Sequence, residues 1–562
     1  MTQAYPADQA EIPAKWLQCD GRQLRKLMKA SLLWLEQHHE HVNQLNVFPV
    51  PDGDTGTNMM LTMRAAYNQI KDSDDPHIGR VAQDLAHGAL MGARGNSGVI
   101  LSQVWRGLAR SLAHKEVALA TEIAEAFRVA SETAYKGVMR PVEGTILTVI
   151  RESSEEALEA VKKSRDLRFV LARVLGRARE SLESTPDLLP VLKQAGVVDS
   201  GGQGLVYIFE GMLRYVSGEM RDVVARAEVS GHVPAQALAV PESGVLEFPY
   251  DVQFILMGEK LDVESVRNTI DAMGDSTVVV GDERTIKVHV HVKNPGEPLS
   301  YGASIGRLAD VVVENMQLQM EEIVAQAPSG PLAAFAEAPP VVEPGQIAVV
   351  AVAAGPGLGD IFRSLGAAGI VNGGQSNNPS TEEIFQAIES VPAEKVIVLP
   401  NNKNIILAAE AACSLTEKQV AVVPTRTAPQ GISALLSLDP DGELESVREA
   451  MHAASREIVS GEITVATRTV HLDGVAVSAG QYIGLVDGRL IVADESMAVV
   501  LEETLRRMEI GDRELLSLYY GKDVSREEAE SLAEAISEAY PDLEVELLAG
   551  GQPHYRYILG AE

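Results

Sequence analysis

The chain has 562 residues, too many for one hydrophobic core, and its 46% hydrophobic content is that of ordinary globular domains. With 48 Lys+Arg against 79 Asp+Glu the formal net charge is −31, which argues against a general nucleic-acid-binding or anionic-membrane surface, so any anionic ligand has to be met by helix ends, glycine loops or a metal ion. Cys19 and Cys413 are the only cysteines, which excludes a thiolate zinc cluster and fits a reducing cytoplasm; the polar N-terminus and the lack of a long apolar run predict a cytoplasmic protein without a transmembrane segment.

In chain order, apolar residues first recur with helical spacing. Amphipathic helices are predicted over 23–43, 81–86, 99–113, 119–136, 145–163, 167–181 and 202–216, forming an all-α barrel or bundle interrupted by glycine-containing loops. A Pro/Ala/Val stretch at 227–244 predicts a linker. A smaller α+β domain follows, with strands over 250–256 and 285–292 and a helix over 263–273. A second Pro/Ala-rich linker spans 327–346. Beyond it, β-branched runs at 347–353, 395–399 and 419–423 alternate with helical patterns at 359–368, 380–391 and 404–412, which predicts a parallel α/β sheet. Residues 462–562 complete the C-terminal region as a second lobe, with strands over 544–548 and 555–559 and a helix over 525–539. The predicted domains are 1–227, 245–327 and 346–562.

The densest cluster of functional groups is Asn46-Val-Phe-Pro-Val-Pro-Asp-Gly-Asp-Thr-Gly-Thr-Asn58. Asp52 and Asp54, separated by Gly53, can converge on an oxygen-preferring cation such as magnesium. Thr55, Thr57 and Asn58 add donors where a helix begins, a place that favours phosphate. The plainer alternative is an Asx-rich turn before a capped helix. The loop Met91-Gly-Ala-Arg-Gly-Asn-Ser-Gly98 offers Gly95, Asn96, Ser97 and Gly98 for phosphates or a nucleoside, or is simply a helix connection. Pro141-Val-Glu-Gly-Thr-Ile-Leu147 and Val198-Asp-Ser-Gly-Gly-Gln-Gly204 again set Thr145 and Asp199 beside glycine at helix boundaries. Repetition of such loops in one helical domain favours a nucleotide site.

In the middle region His289 and His291 alternate with valines and so share one face of a strand. They could bind a metal or contact a transferring phosphoryl group, or be two exposed strand histidines. Further on, Gly355-Pro-Gly-Leu-Gly359 lacks the spacing of a dinucleotide loop, and Ser380-Thr-Glu-Glu383 is a capping box at a helix start.

The first two hundred or so residues, most strongly Asp52-Gly-Asp-Thr-Gly-Thr-Asn58, resemble the nucleotide-binding L-subunit domain of dihydroxyacetone kinases. Nearly the whole chain resembles the A subunit family of bacterial fatty acid kinases. The markers are Leu45 to Asn58, Met91 to Gly98, Lys287-Val-His-Val-His-Val292, Leu399-Pro-Asn-Asn-Lys-Asn404 and Val423-Pro-Thr-Arg-Thr-Ala-Pro-Gln-Gly431. The resemblance implies a helical barrel that binds ATP through magnesium, with Asp52, Asp54 and, at the position of a further family aspartate, Asn46 as ligands. It places Thr55, Thr57, Asn58, Gly95, Asn96, Ser97, Gly98, Thr145 and Asp199 against the nucleotide. It also implies a DegV-like C-terminal domain, a homodimer, and transfer of the γ-phosphoryl group to a fatty acid presented by a separate DegV-family fatty-acid-binding protein. His289 and His291 become the catalytic pair; the family's zinc arrangement includes a cysteine, where this chain has Asp251 in Tyr250-Asp-Val-Gln-Phe254, making Asp251, His289 and His291 the candidate zinc ligands. Alternatives are a kinase of small dihydroxyacetone-like polyols and a non-catalytic nucleotide-binding scaffold.

Overall fold

The computed structural model describes residues 16–46, 53–138, 140–220, 248–258, 260–281, 283–315, 342–375 and 377–562. Both predicted linkers lie outside them, apart from residues 342–346. The chain divides into two compact units, one formed by Met1–Val224 with Ala338–Glu562 and the other by Ala225–Glu337.

In the first unit the helical region consists of α1 (Gly21–Gln44), α2 (Thr55–Ile70), α3 (Ile78–Met91), α4 (Gly95–Leu112), α5 (Ala120–Lys136), α6 (Ile146–Lys163), α7 (Leu167–Leu188), α8 (Pro190–Ala195) and α9 (Ser200–Val216). Two short strands not anticipated from the sequence, β1 (Gln18–Cys19) and β2 (Ala118–Leu119), pair antiparallel. α1 shows why these segments are helical. Asp20 and Gln23 form a reciprocal capping box, and Leu24, Met28, Leu32, Leu35 and Val42 fall on one buried stripe. Each long helix packs on its successor from α1 to α7, α7 packs on α9 and α9 returns to α1, so the ring closes as a barrel. Its core includes Met28, Leu35, Met59, Met63, Leu85, Trp105 and Phe209. Full burial of one such side chain contributes roughly 1.5–3 kcal/mol.

The rest of this unit is α/β. Strands β7 (Ile347–Ala353), β8 (Gly369–Asn372), β9 (Lys395–Leu399) and β10 (Gln419–Val422) form a parallel sheet of order β10-β9-β7-β8. Every residue of β7 is buried, because helices cover both faces. On one face Ala348, Val350 and Val352 meet the helices Thr381–Ser390 and Ile406–Cys413, and the same apolar cluster takes in Ala93 and Val99 from the α3–α4 connection and the start of α4. The second lobe is a six-stranded sheet of β11 (Val459–Val465), β14 (Tyr482–Val486), β15 (Arg489–Asp494), β16 (Leu515–Tyr520), β17 (Glu544–Ala549) and β18 (Tyr555–Ala561), with a hairpin of β12 (Val470–Leu472) and β13 (Val475–Val477).

The second unit carries β3 (Tyr250–Met257), a helix at Val263–Asp271, β4 (Gly274–Gly281), β5 (Thr285–Val292), a helix at Gly296–Ile305 and β6 (Arg307–Asn315). Its antiparallel sheet has the order β4-β5-β3-β6, so the βαββαβ chain forms a ferredoxin-like split βαβ sheet. Val252, Phe254, Leu256, Val288, Val290 and Val292 make its core. The fold is therefore multidomain, with an all-α barrel, an α+β middle domain and an α/β C-terminal region.

Candidate nucleotide and metal site

The glycine-containing loops meet at one end of the barrel. A Cβ built at Gly98 would lie 2.4 Å from Thr62 Oγ1, one at Gly204 would lie 2.5 Å from Met59 Sδ, and one at Gly201 would lie 3.3 Å from Ile146 Cβ. The starts of α4 and α9 thus lie against the first two turns of α2, and the start of α9 also meets the start of α6, although the sequence spreads them from residue 54 to residue 204.

Asp54 stands at the N-cap position of α2 without capping it, and is buried. Its Oδ2 accepts a hydrogen bond from Asn378 Nδ2, on the loop that follows β8. The capping duty passes to Asn43 near the end of α1: Asn43 Oδ1 accepts from Gly56 N at 2.8 Å and Thr57 N at 3.2 Å, and its Nδ2 donates to Thr57 Oγ1 at 3.0 Å. The close approach that Gly56 permits is to α1, since a Cβ there would lie 2.1 Å from His39 O. Thr55 and Asn58 are buried, with Asn58 N donating to Asp54 O at 2.8 Å. Asn46 N donates to Asn43 O at 3.2 Å, and the Asn46 carbonyl accepts from Arg468 Nη1. Arg468 Nη1 also donates to Gln44 O at 3.0 Å. Asp52 lies outside the described residues.

At the next loop Gly95 has φ +57, a left-handed conformation suited to glycine, and Asn58 Nδ2 would lie 2.6 Å from a Cβ there. α4 begins without a side-chain cap, so its first amides face no capping oxygen, and Ser97 and Gly98 belong to that first turn. Asn96 Nδ2 donates to Asn404 Oδ1 at 3.5 Å, while its buried Oδ1 has no hydrogen-bond partner. Thr145 caps α6 by accepting from Leu147 N at 3.4 Å. Asp199 caps α9, accepting from Gly202 N at 2.7 Å. Burial pushes its carboxyl up to about 6, against the opposing pull of the Gly202 and Ile146 amides.

Oxygen donors therefore dominate this end of the barrel: the Asp54 carboxylate and the unpaired Asn96 and Asn378 amide oxygens suit a hard cation, and the uncapped start of α4 suits a phosphate. Asn43, Thr62, Arg94, Asn378 and Arg468 escaped the sequence reading. Only Asn43 carried a local signal, as a polar residue at a helix end; the others become neighbours through the tertiary fold. Thr62 Oγ1 donates to Asn58 O at 2.7 Å, and Arg94 Nη1 donates to Asn378 O at 2.9 Å and pairs with Glu383 at 3.0 Å.

The predicted histidines lie in the other unit. In register, His291 on β5 stands opposite Asp251 on β3 and Asp275 on β4, and His289 stands opposite Gln253. The side chains of Asp251, His289 and His291 lie outside the described ones, and among those described no group of His, Cys, Asp and Glu is arranged to hold a metal ion. No described helix is long and apolar enough to cross a membrane.

A cavity of about 50 Å³ sits at the carboxyl ends of β7, β8 and β9, lined among others by Gln375, Asn402, Arg426, His554 and Tyr555. Ligand pockets for drug-sized molecules run to several hundred Å³, so this one has room for little more than water.

Residues 49–214 match the family model described as DAK2 domain. Residues 247–323 match the FakA-like middle domain of fatty acid kinase, and residues 348–562 match the corresponding FakA-like C-terminal domain. Protein YloV of Bacillus subtilis (strain 168) is 41% identical over 555 residues, covering 97% of this chain and 99% of that protein. Among solved structures, DegV family protein Cg2579 from Corynebacterium glutamicum has a TM-score of 0.31 at 15% identity, covering 39% of this chain and 96% of its own. The dihydroxyacetone kinase from C. freundii, in complex with AMP-PNP and Mg2+, has a TM-score of 0.28 at 16% identity, covering 38% of each chain. Three domain matches in the expected order and a full-length relative place the chain in the FakA-like fatty acid kinase family.

Proposed function

We propose that this chain transfers the γ-phosphoryl group of ATP to the carboxylate of a fatty acid presented by a separate DegV-family fatty-acid-binding protein, forming an acyl phosphate. The observation that carries the reading is the meeting of the buried Asp54 carboxylate, the buried amide oxygen of Asn96 and the uncapped start of α4 at one end of the barrel. A fatty carboxylate is ionised at neutral pH, so the acceptor needs no general base. The barrier is charge repulsion between two anions. Amides at the start of α4 would hold the phosphates in line, and Asp54 with Asp52 and Asn46 would hold the cation. Magnesium, when bound, supplies charge neutralisation on the phosphates. His289 and His291 form the catalytic pair of the middle domain in this reading, and Asp251 opposite His291 makes a zinc ion there a separable part of it. The protein acts as a homodimer in the cytoplasm.

The test is ATP-dependent acyl phosphate formation, trapped as hydroxamate, with the full chain and a fatty-acid-loaded partner, beside arms with dihydroxyacetone and with no acceptor. Asp54→Ala should lower the acyl phosphate rate by at least about 10²-fold, the scale of losing one strong transition-state charge contact, while the far-UV circular dichroism stays unchanged. Normal turnover by that variant, or ATP use with dihydroxyacetone and none with the loaded partner, would overturn the reading.

A further inference from the structure

The C-terminal domain does more than pack beside the barrel. Asn378 follows β8 and precedes the helix Thr381–Ser390, and is 1% exposed. Its Nδ2 donates to Asp54 Oδ2, while its own Oδ1 is buried without a hydrogen-bond partner. An unpaired buried amide oxygen costs roughly 1–3 kcal/mol, so a fold that keeps one invites a ligand to satisfy it. A second such oxygen, Asn96 Oδ1, lies one residue from Gly95, whose built Cβ would be 3.5 Å from Asn378 Nδ2. Two unpaired oxygens and a carboxylate thus gather between the starts of α2 and α4.

The placement of Asn378 is enforced from several sides. Arg94 binds the Asn378 carbonyl at 2.9 Å and Glu383 at 3.0 Å, and it bridges to Ser380 through the backbone. Thr381 N donates to Ala93 O at 3.0 Å, and Ala93 and Val99 share an apolar cluster with Ile384, Ile405 and Ala408. This is a packed core, and it fixes the loop on the barrel end.

We infer that Asn378 is a positioning residue of the kinase site: its amide nitrogen sets the Asp54 carboxylate, and its amide oxygen accepts a hydrogen bond from the hydrated cation. The inference rests on the reading of Asp54 as a ligand of the magnesium–ATP site. It makes the C-terminal domain part of that site, so the barrel by itself is incomplete.

The experiment follows the melting temperature of the full chain as magnesium is titrated in the presence of a non-hydrolysable ATP analogue. Outer-shell partners of metal ligands change metal affinity by about 10- to 100-fold when removed, and Asn378→Ala should raise the magnesium midpoint by that factor. Asn378→Asp, which sets a second carboxylate beside Asp54, should melt lower than wild type in chelator and regain the difference as magnesium is added. If the wild-type chain ignores magnesium and analogue, the ATP reading falls and this inference with it. If wild type responds and the Asn378→Ala midpoint is unchanged, including the case where its melting temperature alone drops, this inference falls and the ATP reading stands. Should Asn378→Ala fail to fold, the Asn378→Asp titration decides, and a deficit that magnesium does not restore counts against the inference.

Discussion

Asp199 shows how a cap residue can also carry a pH response. Its carboxylate serves the first turn of α9, yet burial raises its pKa to about 6 from a usual value of 3.8. The folded chain therefore holds a proton between these two values that the unfolded chain releases. Ionised Asp199 destabilises the fold, and that cost grows as pH rises from about 4 to about 6 and is constant above. An asparagine at this position would accept the same Gly202 hydrogen bond without the charge. Asp199→Asn should thus gain stability relative to wild type as pH rises through that window and hold a level difference beyond it, read from urea midpoints across pH 4 to 8. A pH-independent difference would show that the raised pKa is not felt by the fold. The motif Val198 to Gly204 made Asp199 legible as a site candidate, but its protonation depends on how α6 and α9 bury it.

At the scale of elements, the start of α2 is the informative case. Thr55, Thr57 and Asn58 read as phosphate-facing because a helix N-terminus presents free amides. In the fold, two of those amides are satisfied by Asn43 on α1, and Gly56 sits where a methyl group would strike the His39 carbonyl and Val42. Gly56→Ala should destabilise the protein by about 1–3 kcal/mol, the usual range for overpacking, with a fall in melting temperature as the measurement. A neutral result would mean that α1 and α2 can separate without penalty. The start of α4, by contrast, has no side-chain cap. Periodicity located α1, α4, α5, α6 and α9 well. It shortened α3, predicted over 81–86 against the observed Ile78–Met91, and missed β4, β6 and β8, since none of the three alternates cleanly between apolar and polar residues and β8 has only four residues.

For the molecule as a whole, the join between barrel and C-terminal domain is the feature with most consequence. Arg94 links the two through a carbonyl and a carboxylate, and its side chain is only 23% exposed. Arg94→Ala should cost roughly 1.5–3 kcal/mol, as expected for a charge-assisted contact, and should increase amide hydrogen exchange in the loop 377–383 before the barrel core opens. Exchange rising uniformly across the unit would instead mark Arg94 as a contributor to global stability alone. Arg468, reaching Gln44 and Asn46 from the connection between β11 and β12, adds a second link to the loop that enters α2.

The sequence by itself determined the all-α barrel and the parallel sheet, because periodicity is a local property. The strands Ile347–Ala353, Lys395–Leu399 and Thr285–Val292 and the Ser380–Glu383 capping box were readable in the same way. Only the tertiary structure decided which loops share one barrel end, which helix start stays open, and that Asn378, 324 residues beyond Asp54 in the chain, holds its carboxylate. A pairing at such separation is set by how two cores pack, through Ala93 and Val99 against Ile384 and Ile405, and no local pattern encodes it.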